Sequence, residues 1–415
     1  MANSVTFIGY GAFYNCNSIS AVYYNGSIDQ WCNIVFNGYG SNPLQYAHNL
    51  YIDNALVTEI IIPESVTSIK DYAFMGGTCI SSFTIPNTVT NIGDLAFCNC
   101  SNFFSITIPS SVLSIGSGAF ENTGWYNDQL NGILYLDGCC LGYKGSSPSG
   151  KLIIAEGTRL IASQSFSFCN RLTSLLVPNT VNIIGDNAFE YCPNLTDVNI
   201  LRTTPPSLGT YGFHNTSCPI YVPYESIIVY KTANNWNEYE NQLFPMSYIT
   251  IPSYIENEGN WHFIASPLLE NIDPLTVDNM ITETEYDLYQ FNPTGENGEW
   301  ENHKADNYNL VNGKGYLYAN AGKVNIIFKG EFNENETQEV ELVYNEDNPN
   351  AGWNLVGNPF PVSAYINKPY YVMNEDGTNI HPEPIPATVP VPACTAVFVK
   401  ATVAGDTVVF TVTAP

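Results

Sequence analysis

The chain of 415 residues carries 39 acidic and 13 basic side chains, a formal net charge of −26, although charged residues make up only 13% of it. Nucleic acids and anionic membranes both require clustered lysine and arginine, so this charge excludes them as partners. A chain of this length exceeds one hydrophobic core and predicts at least two domains, and it has no run of 18 apolar residues that could cross a bilayer.

The first residues match only the second half of a sequence repeat that recurs along the chain. Val5, Ile8 and Phe13 occupy apolar positions of that repeat, and Met1 falls where its first strand would be ending. We therefore expect that sequence upstream of Met1 has been removed, and with it the signal peptide that the chain lacks at its start.

An insertion interrupts the repeat between Phe13 and Phe74, which lie 61 residues apart (74−13). It covers about residues 21–56 and is rich in aromatic side chains. Within it, the stretch SIDQWCNIVF predicts a short helix whose apolar side includes Trp31 and Phe36, so part of the insertion should pack against the core.

The repeat is clearest in the phrase IPNTVTNIGDLAFCNC at residues 85–100. Its phenylalanine recurs at intervals of 23 residues or a multiple of 23, at Phe74, Phe97, Phe120, Phe166 and Phe189. A fixed period of about 20–29 residues predicts a leucine-rich solenoid, because one coil cannot bury its own apolar face. We therefore predict that residues 57–200 form stacked 23-residue coils and that the phenylalanines form one buried column.

Each coil should contribute one strand whose alternate residues point away from the core. The predicted outward positions are Glu59, Ile61, Ser82, Thr84, Ser105, Thr107, Ser174, Leu176, Asp197 and Asn199. Serine and threonine dominate the middle of this set, where they are equally explained as ordinary residues of a solvated sheet.

Residues 126–148 have the length of one coil but read GILYLDGCCLGYKG over most of it, which predicts a β-hairpin turning at Asp137 and Gly138. The next stretch, GSSPSGKL at residues 145–152, is one residue short of a phosphate-binding loop. Leu152 stands where a magnesium-binding Ser or Thr is needed, and the stretch should lead into a strand rather than a helix. We expect a surface loop and no nucleotide binding.

Residues 201–245 keep a Gly-Phe pair and lose the rest of the repeat. A strand at 220–222 and a short amphipathic helix at 224–236 predict a cap, which a solenoid needs to cover its last apolar face. Beyond it, short alternating strands such as YDLYQF, GYLYAN and TVVFTVT predict an antiparallel β-sandwich over 246–415. The predicted fold is therefore β-rich, a leucine-rich-repeat solenoid at 1–245 followed by that sandwich.

The succession Ile-Pro, Ser/Thr-Val, Ile-Gly, Ala-Phe and Asn-Cys in residues 85–100, and again in 177–192, resembles the BspA-like leucine-rich repeats of bacterial cell-surface proteins. The resemblance covers about residues 1–245. It implies a secreted or surface-anchored protein that adheres to host or bacterial partners, and it provides no catalytic residues. The pair GWNLVGNPFP and VPACTAVFVKA resembles a β-sandwich module found near the C-termini of secreted proteins from the same kind of bacteria.

Groups for catalysis or metal binding are sparse in the sequence. The five histidines are scattered, and there is no Gly-x-Ser-x-Gly, His-Glu-x-x-His or Cys-x-x-Cys. Glu285 and Asp287 supply carboxylates, but such residues in an acidic domain mostly face solvent. The stretch NEDGTN at 374–379 has turn chemistry without the alternating aspartates of a calcium loop. We expect neither an enzyme nor a cofactor.

Eleven cysteines would suggest disulfides in a secreted chain, but the number is odd. Four of them, Cys16, Cys100, Cys169 and Cys192, stand three residues after a repeat phenylalanine. Equivalent positions in stacked coils predict a ladder of buried, reduced thiols, each able to make a weak hydrogen bond to the turn. The adjacent Cys139 and Cys140 remain unassigned.

A non-enzymatic binding or adhesion protein, secreted or at the cell surface, fits these features best, with a protein or glycan partner outside the cell. The predicted partner-binding residues are Tyr39 and Tyr46, in the turn-rich loop NGYGSNPLQY of the insertion, with Glu59, Ile61, Ser82, Thr84, Ser105 and Thr107 of the adjoining strands. The alternative is glycan recognition by aromatic residues of the insertion or of the C-terminal sandwich.

Overall fold

A computed structural model describes residues 1–252, 261–281, 286–294, 300–344, 346, 352–374 and 377–414. The chain divides into two compact units, Met1–Tyr221 with Ile228–Leu243 and Val222–Ile227 with Phe244–Pro415. Glu285 lies outside the described residues, as do the central Glu375 and Asp376 of NEDGTN.

The first unit is β-rich, with short helices between its strands. Its strands are β1 (Phe7–Ile8), β2 (Val22–Tyr24), β3 (Val35–Phe36), β4 (Leu50–Ile52), β5 (Ala55–Leu56), β6 (Glu59–Ile61), β7 (Ser68–Ile69), β8 (Ser82–Thr84), β9 (Asn91–Ile92), β10 (Ser114–Ile115), β11 (Gly132–Leu136), β12 (Cys139–Lys144), β13 (Gly150–Ile153), β14 (Leu160–Ile161), β15 (Leu172–Val177), β16 (Ile183–Ile184), β17 (Asp197–Ile200), β18 (Ser207–Leu208) and β19 (Ile220–Pro223). Its helices are α1 (Ile28–Cys32), α2 (Leu44–Ala47), α3 (Gly124–Asp128) and α4 (Ile227–Thr232), with a 3-10 helix at Asn237–Gln242.

Strands from successive repeats pair in parallel in the first unit. Partner residues 23 positions apart (82−59, 91−68, 114−91, 197−174) are Glu59 and Ser82, Ser68 and Asn91, Asn91 and Ser114, and Ser174 and Asp197. Outside the strands, the Phe74 N–H donates to the Ala96 carbonyl at 2.8 Å. Each repeat thereby satisfies backbone groups of the repeat before it, which an isolated copy could not do.

The five repeat phenylalanines are all buried, and their rings stack in two runs. Phe97 lies between Phe74 and Phe120 at centroid distances of 5.8 and 5.4 Å, with the planes within 9° of parallel. The second run contains Tyr143, Phe166, Phe189 and Phe213, spaced 5.3–6.3 Å apart. Across the described residues no ring contact joins the runs, so the prediction of one column is corrected to two.

The insertion packs beneath the repeat that contains Phe74. As predicted, Trp31 and Phe36 are buried, but the helix is only α1, and Phe36 belongs to β3. The Trp31 indole N–H donates to the Ala73 carbonyl at 2.8 Å, and the Asn42 amide donates to the same oxygen at 3.0 Å. In a regular repeat the Ala73 carbonyl would accept from a backbone N–H of the repeat before it. The insertion stands in that place, and its side chains donate to this carbonyl instead.

The irregular repeat contains the predicted hairpin, an antiparallel pair of β11 and β12. Its turn residues Asp137 and Gly138 have φ values of 47° and 72°, and a two-residue type I′ turn requires positive φ at both positions. The phosphate-loop-like stretch that follows leads into β13, as predicted, and β13 pairs in parallel with β15.

The end of the first unit is covered by aromatic side chains. The helix predicted at 224–236 is observed as a 3-10 turn at Tyr224–Ser226 followed by α4, which ends at Thr232, four residues before the predicted end. Trp236 and Tyr239 lie 5.9 and 6.0 Å from the ring of Phe213. The Tyr239 hydroxyl accepts from the Phe213 N–H at 3.2 Å, so the last repeat also has a backbone partner.

The second unit pairs its described strands in antiparallel fashion. They are β20 (Leu243–Ile251), β21 (His262–Ala265), β22 (Tyr286–Phe291), β23 (Trp300–Asn302), β24 (Gly315–Asn320), β25 (Val324–Phe328), β26 (Thr337–Glu341), β27 (Trp353–Gly357), β28 (Tyr365–Ile366), β29 (Ala396–Lys400) and β30 (Thr407–Thr411). A short helix α5 (His303–Asp306) and 3-10 helices at Tyr224–Ser226 and Pro274–Thr276 complete the unit.

Two of the four repeat cysteines hydrogen bond to a backbone carbonyl of the preceding repeat. The Cys100 thiol donates to the Phe74 carbonyl at 3.1 Å, and the Cys192 thiol donates to the Phe166 carbonyl at 3.2 Å. Burial raises the pKa of the Cys98 and Cys192 thiols to about 12. Because the thiolate is the reactive form, these groups should be chemically inert in the folded protein.

We expect most of the thiols to resist a thiol-specific disulfide reagent at about pH 8, where an exposed thiol of ordinary pKa reacts readily. After denaturation without reductant, all 11 cysteines of the chain should react. The two counts come from the absorbance of the released chromophore. Fewer than 11 reactive thiols in the denatured protein would reveal disulfides and contradict the reduced ladder.

Candidate binding surface

The outward positions of β6 and β8 lie where the alternation predicts them. Ile60 and Phe83 are buried, whereas Ile61 is 73% exposed and both Glu59 and Thr84 are exposed. Ser82 is half-buried.

The next repeat continues this surface without a named strand. Ser105 and Thr107 are exposed, and Ser105 forms a single parallel bridge with Ser82.

Farther along the chain, two of the predicted outward residues are buried instead. Leu176 is 4% exposed and Asn199 is 1% exposed, while Ser174 and Asp197 are half-buried. The strand β15 buries Leu175, Leu176 and Val177 in succession, so both of its faces are covered at this end and alternation no longer separates inside from outside.

The two tyrosines predicted for the insertion loop differ in environment. Tyr39 is 46% exposed, and its ring meets that of Tyr14 edge-on at 6.2 Å. Tyr46 is on α2 and half-buried, with a buried hydroxyl that has no hydrogen-bond partner in the described residues. The expectation of an exposed Tyr46 is therefore wrong, because the helical turn packs Leu44 and Ala47 into the core and carries Tyr46 inward.

A stacked pair of tyrosines, which the sequence pattern did not predict as a binding site, occupies the outward side of β2 and β4. Tyr23 is directly opposite Tyr51 in a parallel pair, and the two rings stack at 4.7 Å with an interplanar angle of 20°. Tyr23 is 52% exposed, while Val22 and Tyr24 on either side are buried. The alternation of buried and exposed positions within VYY could have been predicted from the sequence, but the pairing of β2 with β4 could not.

These outward residues make up what we name the strand face, comprising Tyr23, Tyr51, Glu59, Ile61, Ser82, Thr84, Ser105 and Thr107. The Val57 N–H donates to the Leu50 carbonyl at 2.8 Å, which extends the antiparallel pairing of β4 with β5 by one residue, and β6 begins at Glu59, two residues farther along the chain. Glu59 is the only carboxylate among these side chains, and none of them is basic. A partner would therefore meet aromatic, apolar and hydroxyl groups rather than a strong charge.

In the part of the chain that the structure describes, no group of three or more His, Cys, Asp or Glu side chains is placed to hold a metal ion. Asp287 pairs with Lys304 at 3.2 Å on the surface of the second unit. Within the same residues, no helix has the length and apolar character needed to cross a membrane.

A family described as BspA type Leucine rich repeat region matches residues 1–52, 45–132 and 143–270 in six copies. No curated protein matches the chain. Among solved structures, a leucine rich cell surface protein from Faecalibacterium prausnitzii A2-165 is 20% identical with a TM-score of 0.25, over 55% of this chain and 73% of that one.

Two further solved structures show similarly low values. A leucine-rich repeat protein from Eubacterium ventriosum ATCC 27560 is 23% identical with a TM-score of 0.25, over 55% of this chain and 66% of that one. The pneumococcal vaccine antigen PcpA is 16% identical with a TM-score of 0.23, over 58% of this chain and 83% of that one.

Proposed function

This chain belongs to the BspA-type leucine-rich repeat family, and from that premise we propose that it is a non-enzymatic, secreted or cell-surface protein that binds a protein partner through the strand face. The observation that carries the proposal is the stack of Tyr23, which is 52% exposed, on Tyr51, together with the 73% exposed Ile61 on β6, the strand that follows β5 in the chain.

The proposal includes an architecture that would display this face. Residues 1–245 are a solenoid of 23-residue coils with the insertion at about 21–56, the hairpin coil at 126–148 and the cap at 201–245. The parallel registers and the two runs of stacked rings support it. Residues 246–415 are a β-sandwich, supported by the antiparallel pairing of the second unit. Stacked coils give a rigid surface whose outward residues can differ without disturbing the core.

The composition of the strand face favours a protein partner over a charged polymer. Tyrosine is enriched among residues that dominate binding energy, because it buries a large ring and still offers a hydroxyl. Burial of the Ile61 side chain against a partner would contribute favourable binding free energy, because most of that apolar side chain is exposed to water. With one carboxylate on the face, binding should change little between about 0.1 and 1 M salt.

We expect the double substitution Tyr23→Ala and Ile61→Ser to weaken binding by at least about tenfold, since loss of a central aromatic and an aliphatic contact commonly exceeds 1.4 kcal/mol. The measurement is surface plasmon resonance against a panel of immobilised host extracellular-matrix proteins. Tyr39→Ala is the matched control, because Tyr39 is similarly exposed but outside the strand face.

Both variants should keep the melting temperature of the parent chain to within a few degrees, because each altered side chain is on the surface and at least 46% exposed. Unchanged binding by the double variant would contradict the proposal. Loss of binding in Tyr39→Ala alone would place the site on the insertion loop instead.

A further inference from the structure

The hydrogen bonds between successive repeats stop at the hairpin repeat. The N–H groups of Leu95, Phe97 and Asn99 donate to the carbonyls of Ser117, Ala119 and Glu121 at 2.8–2.9 Å. One repeat later, the equivalent N–H groups of Gly118, Phe120 and Asn122 have no acceptor within the residues that the structure describes. The backbone that should face them belongs to β12, which pairs with β11 in the hairpin instead.

Other bonds cross the gap and fix its position. The Ser163 N–H donates to the Ile115 carbonyl at 2.9 Å, and the Arg159 guanidinium donates to the Val112 carbonyl at 2.6 Å. The Lys144 ammonium donates to the carbonyls of three residues around the end of α3 at 2.7–2.9 Å. These contacts hold the irregular repeat in place without filling the space beside Phe120.

That space is a cavity of about 320 Å³ within the first unit. Gly118 and Phe120 line one side of it. Trp125, Tyr126 and Tyr143 contribute aromatic rings, and Ser163, Gln164 and Ser165 contribute polar groups. At the cap, the corresponding free N–H of Phe213 is satisfied by a tyrosine hydroxyl. At Phe120 no such group is found among the residues that the structure describes.

We propose that this cavity binds one sugar residue of a neutral glycan. The N–H groups of Gly118 and Phe120, which have no acceptor among the described residues, can donate to acceptor oxygens of a ligand in the cavity. Serine hydroxyls on the other walls can donate and accept hydrogen bonds, and backbone carbonyls there can accept them. A sugar hydroxyl is both, and the C–H faces of a sugar ring pack on aromatic side chains. This site is separate from the strand face and does not depend on it.

The volume of the cavity and the charge around it restrict the class of ligand further. Ligand pockets span about 300–1,000 Å³, and this cavity is at the lower end, which suits a single ring rather than a peptide segment. Glu121 lines the cavity, and the chain carries a net charge of −26, so an anionic ligand would be repelled. The geometry therefore favours an uncharged polyhydroxylated ring.

The first test uses the unmodified chain. Saturation-transfer difference NMR with neutral methyl glycosides should detect binding, whereas glucuronate should show none. When a glycoside that binds is added, hydrogen–deuterium exchange of the backbone amides in residues 116–122 should slow, because the N–H groups of Gly118 and Phe120 gain hydrogen-bond acceptors. Binding of no neutral sugar, a preference for glucuronate, or unchanged exchange in 116–122 would each overturn the proposal.

Two variants locate the site independently. Trp125→Ala removes one aromatic wall, and Ser163→Leu fills the polar side, so each should weaken glycoside binding by about fivefold or more. Tyr211→Ala removes an exposed ring outside the cavity and should bind normally, as should the strand-face double variant. Full binding by folded Trp125→Ala and Ser163→Leu would overturn the assignment. If either variant fails to fold, the exchange result on the unmodified chain decides.

Discussion

Replacing Phe97 by alanine should lower the free energy of unfolding by about 3–5 kcal/mol, the range measured for deleting a buried phenylalanine. Its ring stacks between Phe74 and Phe120 and meets Phe83 edge-on at 4.6 Å. Alanine would leave a cavity in the middle of the first aromatic run, and neighbouring backbones could not collapse into it because inter-repeat hydrogen bonds hold them apart.

The measurement is denaturant unfolding monitored by far-ultraviolet circular dichroism. Phe104→Ala is the matched control, because this phenylalanine is 55% exposed and outside the stack. We expect it to cost less than about 1 kcal/mol, as most surface substitutions do. A loss below about 1 kcal/mol for Phe97→Ala, or equal losses in both variants, would show that the stacked rings do not carry the stability of this unit.

The sequence was informative wherever the same local pattern recurred. The inward positions of β6 and β8 and the burial of the repeat phenylalanines follow from alternation and spacing, because each copy meets a nearly identical neighbour. The hairpin turn was equally local, since Asp137 and Gly138 alone supply the positive φ values it needs.

The errors arose where distant segments meet. Leu176 and Asn199 are in outward register but are covered, and local alternation carries no information about a second covering layer. Tyr46 follows turn residues in sequence, yet the packing of Leu44 and Ala47 turns its helix toward the core. Burial in these cases is set by tertiary contacts.

The two features that carry the binding proposals also depend on long-range pairing. The Tyr23–Tyr51 stack requires β2 and β4 to align across 28 positions (51−23), and no repeat spacing predicts that register. The cavity beside Phe120 exists because β12 pairs with β11 in the hairpin and therefore does not hydrogen bond to the repeat that contains Phe120. The sequence identified the hairpin, but not the donors that it leaves unpaired.

Trp31→Ala should destabilise the first unit by about 3–5 kcal/mol, as expected for a fully buried tryptophan. The side chain fills the space between the insertion and the repeat of Phe74, packing against Tyr24 at 5.3 Å and Phe36 at 5.6 Å. Tyr23→Ala, an exposed position of the same insertion, is the control and should cost far less. Equal losses in the two variants would show that the insertion is not anchored through Trp31.

Trp31→Phe separates the indole hydrogen bond from the packing. The Ala73 carbonyl also accepts from the Asn42 amide, so losing the indole N–H alone does not leave that oxygen unpaired. We therefore expect about 1–2 kcal/mol from the lost volume and one replaceable bond. Adding Asn42→Ala removes the second donor, and the double variant should lose at least about 1 kcal/mol more than the sum of the single losses. Additive losses would mean that another group satisfies the carbonyl and that the insertion does not replace a missing repeat through this oxygen.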